Sequence, residues 1–261
     1  MKVLLSVFLL ALILFVAGGI IIICHRQSDE LNPRPLPKIL PLRSKIDVIV
    51  LNQRWLDTAC FEWKASYRNN TCSVPKDKQW SLLGLMPQIN GTKGPHFCNR
   101  SLLFDPEAID SIKNDLEAKW KTVDDQNNAG KIWQASWEKY GTCGVTVDQI
   151  KDQFKYFNKS IELYDKYNMK RILNEVNITP GNNYTAQGLL NAVESGLGKR
   201  ARILCSRDRK NKKHYIYSIY TCFDTSFNLI NCDGISHYLT NCPLKKPITY
   251  PNFDENFVNK I

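Results

Sequence analysis

The stretch "AGKIWQASWEKYGTCG", Ala129 to Gly144, decides how this chain is read. It carries two tryptophans spaced Trp-x-x-x-Trp, at 133 and 137, and then a Lys-x-Gly-x-Cys frame from Lys139 to Cys143. It contains no histidine. Ala129 to Tyr140 reads as a helix that Gly141 ends, because glycine takes left-handed terminal geometry without a side-chain penalty. On that helix Glu138 lies two residues from Ser136, so the two side chains point to different faces.

Helical signals continue on both sides. Upstream, Asp105-Pro106-Glu107 opens a helix: aspartate caps, proline takes the first turn, and Ile109, Ile112, Leu116 and Trp120 recur at helical spacing. Downstream, Val147 to Met169 is predicted as one long amphipathic helix with Ile150, Phe154, Phe157, Ile161 and Tyr164 on its apolar face. Thr185 opens another, which closes near Gly196 and Gly198. Strand-like segments flank this middle part. "IDVIVLN" (Ile46 to Asn52) reads as a central strand, and Trp80 to Pro87 as a second short apolar segment. "ARILCS" and "HYIYSIYTCFD" stand on either side of the polar turn "RDRKNKK". Trp55 to Pro75 reads as loop. Helices between strand-rich flanks make the class α+β.

The N-terminus carries a secretory entry signal. Val3 to Cys24 is an uncharged, mostly apolar run that exceeds a usual signal-peptide core and reaches the roughly 20 residues that span a bilayer. Residues 1–26 are therefore a cleaved signal peptide or an uncleaved anchor, with membrane anchoring through residues 3–24 in the second case. Residues 27–45, with Pro33, Pro35, Pro37 and Pro41, form an extended linker. The folded domain spans 46–252 and a tail spans 253–261. Either way the domain is secreted or lumenal. Cysteine usage agrees: of nine, Cys24 belongs to the apolar run, and an even number remain, as in a disulfide framework formed in an oxidising compartment. Their spacing alone leaves the pairing open. Sequons at Asn69, Asn90, Asn99, Asn158, Asn177 and Asn183 suggest a surface-glycosylated chain.

A net charge of +10 suits nucleic acid, anionic glycan or a membrane surface without choosing among them. The densest cations are Lys199, Arg200 and Arg202, followed by Arg207, Arg209, Lys210, Lys212 and Lys213. This second group is either a solvated hairpin tip or a polyanion-binding one. No paired C-x-x-C, G-x-S-x-G, H-E-x-x-H or P-loop pattern occurs, so neither a metal nor a cofactor is expected. His25, His96, His214 and His237 read as surface or structurally satisfied side chains.

Two blocks carry a resemblance to a known family. Trp80-Ser81-Leu82-Leu83-Gly84-Leu85-Met86-Pro87 resembles F-T-I-H-G-L-W-P, and Ile132 to Cys143 resembles F-W-x-H-E-W-x-K-H-G-T-C, both of the ribonuclease T2 family. Gln53 and Trp55, "YDKYNM", "GLLNAV", "YTCFD" and a late "TYP" support it over roughly Ile46 to Pro251. The resemblance implies a ribonuclease T2-like fold, a central antiparallel sheet packed with several helices. It also implies the disulfides Cys60–Cys72, Cys98–Cys143, Cys205–Cys242 and Cys222–Cys232.

It implies a lost chemistry as well. Cleaving RNA by transphosphorylation needs a base for the 2′-OH, an acid for the leaving 5′-oxygen, and donors on the crowded phosphate. In the family, the first-block histidine and the last second-block histidine move the protons. The intervening H-E pair and the lysine hold the phosphate. Here those positions read Leu83, Tyr140, Ala135 and Ser136, with Lys139 the survivor. Glu138 falls at the variable position, and Met86 and Ile132 replace aromatic residues. The expectation is a catalytically inactive binding or signalling scaffold with residual RNA or polyanion binding. Its ligand-binding candidates are Lys139, Trp137, Gln53 and the cations of the 207–213 turn. The alternatives are a weakly active endoribonuclease that works through a 2′,3′-cyclic phosphate, and a structural or storage glycoprotein.

Overall fold

Strand β3 (Val48–Trp55) is buried along its whole length and lies between two antiparallel partners, β4 (Trp80–Gln88) and β7 (His214–Phe223). The structure, a computed structural model, describes residues 46–253 apart from 68, 73–75, 93 and 125–128, together with 13–16 and 19–22. The chain divides into two units, Met1–Arg43 and Ser44–Ile261. In the first, β1 (Ile13–Val16) and β2 (Gly19–Ile22) pair antiparallel. This described part of the apolar run is thus a pair of short strands. The rest of the expected signal or anchor, the linker and the tail beyond Phe253 lie outside the described residues. Among the described residues no helix is long and apolar enough to cross a membrane.

In the second unit, the sheet continues from β7 to β6 (Arg202–Arg207), β8 (Leu229–Ile230) and β9 (Ile248–Thr249), and from β9 to β5 (Asn183–Tyr184). It is antiparallel except where β9 runs parallel to β7, at Tyr215 opposite Thr249. Pro87 sits in β4, which among the described residues has no strand partner on its outer side, the setting in which proline is tolerated in a sheet.

Helices cover one face of the sheet. Ile49, Leu51, Leu82 and Leu85 pack with Trp133, Trp137, Tyr156 and Phe157 in one core. These come from α3 (Ala129–Lys139) and α4 (Gln153–Lys166). A second core joins Trp55, Ile203, Ile216 and Ile219 to α5 (Met169–Glu175) and α6 (Ala186–Leu197). Thr185 caps α6 by accepting from Gly188 N at 3.0 Å, and Gly198 ends it at φ 73°. The opposite face carries a smaller cluster, with Val48, Val50 and Met86 against the Cys222–Cys232 disulfide.

Three segments differ from the sequence expectation. Leu56–Ser66 is a helix, α1, rather than loop, because Leu56, Ala59, Cys60 and Phe61 bury against Tyr215 and Phe253. The helix expected from Asp105 begins as a 3-10 turn over Glu107–Ile112 and becomes α2 only at Lys113–Lys119; Asp105 Oδ1 still accepts from Glu107 N at 2.9 Å. The long helix over 147–169 is broken. Asp152 caps a fresh start by accepting from Lys155 N at 2.8 Å, and Asn168 caps α5 by accepting from Arg171 N at 3.1 Å. The restart turns Phe154 out to solvent and puts Tyr156 in the core.

The four disulfides pair as the resemblance implies: Cys60–Cys72, Cys98–Cys143, Cys205–Cys242 and Cys222–Cys232. Five of the sequon asparagines are exposed. Asn158 differs: it lies half-buried within α4, donates to Glu162 Oε1 at 3.0 Å, and is followed by a buried Ser160.

Candidate functional site

The site begins with an irregularity in β4. Its register against β3 pairs Leu51 with Leu85 and Asn52 with Gly84, then jumps to Gln53 with Leu82. Leu83 is the extra residue of this bulge. Bulges re-aim one side chain and are common beside active sites. Position 83 is therefore set apart from the ladder, half-buried, and the side chain there is an alkyl group that neither holds nor moves a proton.

Helix α3 supplies the second half. Trp137 is buried and its Nε1 donates to Leu102 O at 2.9 Å; Trp133 Nε1 donates to Trp120 O at 3.3 Å. Gly141 follows because nothing larger fits: a Cβ there would meet the Trp137 ring at 2.2 Å. Ser136 is buried, with its hydroxyl 2.9 Å from the Tyr156 hydroxyl. Tyr156 donates its only proton to Leu85 O at 2.9 Å, so Ser136 is the donor in that pair. Burial pushes the Tyr156 phenol far up and keeps it neutral. Ser136 is thus tied to the core, and Ala135 faces solvent.

Tyr140 leaves the end of α3 and lies over Gly84, where a Cβ would meet its ring at 3.4 Å. The first block and the second are therefore in contact. Lys139 Nζ lies 5.0 Å from the centre of the Tyr140 ring, within cation–π range. The third member is one that sequence reasoning set aside. The His96 ring stands edge-on to Tyr140 at 5.5 Å. Phe97 N donates to Lys139 O at 3.0 Å, and Cys98–Cys143 holds the same loop to the second block. Partial burial, then the charge of Lys139, lowers the His96 pKa below 6.5. The signal was present in the sequence: His96 stands two residues before a cysteine that the resemblance pairs with Cys143.

Two of the expected ligand-binding residues, Gln53 and Trp137, are buried. Gln53 is fully buried; its Nε2 donates to Tyr167 O at 2.7 Å and its Oε1 accepts from Met169 N at 3.3 Å, which ties β3 to the start of α5. Trp137 is core, as described. Glu138 accepts from Gln134 Nε2 at 2.8 Å along the helix surface, away from Ser136.

Asn52 and Arg54, on the sheet face that carries Val50, are further polar groups that the sequence reading passed over. Arg54 is buried without a carboxylate partner among the described residues; it donates to Lys121 O at 3.0 Å, and burial lowers its pKa. Asn52 Oδ1, Arg54 Nε and Ser218 Oγ have no hydrogen-bond partner among the described residues. The signal here was three consecutive polar residues, Asn52-Gln53-Arg54, interrupting an apolar strand.

The basic turn lies elsewhere. Tyr220 pairs with Asn52, which pairs with Gly84, whereas Arg207 pairs with His214. Six residues along β7 separate these rows, about 20 Å. Among the described residues no group of three or more His, Cys, Asp or Glu is arranged to hold a metal.

Comparison with known proteins matches this architecture to one family. The profile described as the ribonuclease T2 family matches residues 46–232. Ribonuclease Oy of Magallana gigas is 33% identical over 211 residues, covering 78% of this chain and 95% of that protein. The crystal structure of human RNase T2 superposes with a TM-score of 0.64 at 28% identity, over 78% of this chain and 98% of that one. RNase NT, solved in complex with 5′-AMP, superposes with a TM-score of 0.66 at 26% identity, over 80% of this chain and 99% of that one.

Proposed function

This chain belongs to the ribonuclease T2 family, and from that premise we propose that it is a non-catalytic member: a secretory-pathway scaffold for binding or signalling, with residual RNA or polyanion binding. The observation that carries the reading is the β4 bulge, which presents Leu83 where the family's chemistry needs an imidazole. Ser136 supports it, because its hydroxyl is committed to Tyr156 rather than turned to a phosphate. Tyr140 supports it too, since a phenol is a far poorer proton acceptor than an imidazole in acid or neutral solution. A positioned acid or base contributes about 10²–10⁴ in rate. Losing both raises the barrier by about 5 kcal/mol or more, although such losses do not simply add. Four disulfides suit an oxidising lumen or the cell exterior.

The test is to reinstall the chemistry. Leu83→His with Tyr140→His, and the same pair with Ala135→His and Ser136→Glu, should cleave RNA at least about 10²-fold faster than the native chain. A native chain that cleaves as fast as these variants contradicts the reading.

A second reading rests on His96. Its ring stands beside Tyr140, which Lys139 also approaches, and this supports a reading in which one imidazole serves from a different position in the chain. In that reading the protein is a slow endoribonuclease: His96 takes the 2′-OH proton, the 2′-oxygen bonds to the phosphorus held by Lys139, and the P–O5′ bond breaks with the 5′-oxygen taking its proton from water, which leaves a 2′,3′-cyclic phosphate. A slow native cleavage that His96→Ala abolishes supports it. A cleavage indifferent to His96 removes it.

A further inference from the structure

The structure separates two basic clusters that look alike in the sequence. Arg200 is neutralised, its guanidinium hydrogen-bonded to Asp233 and close to Glu194, and Arg202 lies over the Tyr220 ring at 5.7 Å. The 207–213 cations differ. Arg207, Arg209, Lys210, Lys212 and Lys213 are exposed and form no ion pair among the described residues.

The turn that carries them is rigidly built. Its one carboxylate, Asp208, is buried and spent internally, accepting from Lys210 N at 2.8 Å, Asn211 N at 3.0 Å and Asn211 Nδ2 at 2.9 Å. Asp208 N donates to Lys213 O at 2.9 Å, and Lys212 takes a left-handed φ of 58°. A second basic segment is fastened beside it. Cys205 of β6 is bonded to Cys242, and the Asn241 side chain accepts from Cys205 N at 2.7 Å and donates to Cys205 O at 3.1 Å. This anchors the exposed Leu244-Lys245-Lys246 segment, and Lys246 reaches the field of His214, the strand partner of Arg207. The result is an ordered array of exposed cations, drawn from two segments and without ion-pair partners among the described residues, about 20 Å along the strand from Tyr140.

We infer that this array is a binding surface for a sulfated glycosaminoglycan. The inference rests on the reading of the chain as an extracytoplasmic binding protein and names the partner of that reading. Single-stranded RNA is bound by cationic grooves interleaved with aromatic faces, each stacked base contributing about 1–3 kcal/mol. Segments 207–213 and 244–246 contain no aromatic side chain. Anionic lipid is displayed chiefly on cytoplasmic leaflets, on the other side of the membrane from a compartment that forms four disulfides. A linear sulfated chain is read by charge alone, and a pre-ordered cation array binds it without first having to become ordered.

The experiment titrates the purified full chain into a fluorescein-labelled heparin fragment at about 0.05 and 0.2 M salt, with poly(U) and phosphatidylserine vesicles as rival ligands. Heparin should bind tightest, and its affinity should fall steeply between the two salts, as for any polyanion held by several cations. Arg209→Ser/Lys210→Ser/Lys213→Ser should weaken heparin binding about tenfold or more and flatten the salt dependence. Lys245→Ser/Lys246→Ser should weaken it separately, at unchanged melting temperature. Lys113→Ala/Lys155→Ala/Lys166→Ala, an equal loss of charge on the helical side, should change it by less than about threefold. Equal weakening in that control, salt-independent binding, or RNA or vesicles bound as tightly as heparin overturns the inference. RNA turnover is measured on the same samples. Cleavage by a chain that still loses heparin in the turn variant would sink the non-catalytic reading and leave the glycan surface standing.

Discussion

At the residue scale the site turns on what three neighbouring side chains can do with a proton. Lys139 sits beside both Tyr140 and His96, and its charge helps hold the imidazole neutral. Lys139→Ala should therefore raise the pKa of His96, read from its ring proton shifts by NMR, and leave that of His214, whose charged neighbours are Arg207 and Lys246, unmoved. The sign for stability follows. The folded chain holds this proton less tightly than the unfolded chain, so the contribution is complete above 6.5 and is lost as pH falls below it. Removing Lys139 should shrink that acid loss. An unchanged His96 titration would mean that burial alone sets its value. His96 also marks a limit of sequence reading. Nothing in the local sequence brings it to Tyr140; a disulfide two residues away does.

At the scale of elements, the legible features were those with a local physical signature. Thr185 and Gly198 bound α6 because a hydroxyl cap and a left-handed glycine are local devices. β3, β6 and β7 followed from short β-branched or apolar runs. What escaped were breaks and additions decided by tertiary packing. Helix α1 has little amphipathic pattern of its own and forms because Phe61 and Leu56 meet Tyr215 and Phe253, which lie far along the chain. The break before Asp152 was hidden by apolar residues that fit a single helical stripe, and the bulge at Leu83 depends on a register that one strand alone does not specify. The packing of α3 against the turn that follows it is testable. Gly141→Ala places a methyl 2.2 Å from the Trp137 ring and should destabilise by about 1–3 kcal/mol in a denaturant melt. A neutral effect would mean that the ring moves freely, contrary to its bond to Leu102 O.

At the scale of the whole molecule, helices α3 to α6 bury one face of the sheet, and the site lies with the smaller disulfide-backed cluster on the other. Cys98–Cys143 closes a sequence separation of 45 residues and ties the His96 loop to the second block. Cys98→Ala with Cys143→Ala should cost about 3–4 kcal/mol of stability by chain entropy, and should broaden the His96 resonance as its loop comes free. A double variant as stable as the native chain would mean that the loop is held by Phe97 N to Lys139 O and its packing alone. The retained tryptophans, glycines and disulfides account for a preserved architecture, while on the proposed reading Leu83, Ser136 and Tyr140 account for an altered use. That reading rests on a proposed loss of proton transfer. The most direct test is turnover of single-stranded RNA by the native chain from pH 4 to 8, measured beside ribonuclease Oy. Cleavage slower by about 10⁴-fold or more across the range, with no 2′,3′-cyclic phosphate accumulating, is the predicted result; turnover within about tenfold of that relative would contradict the account.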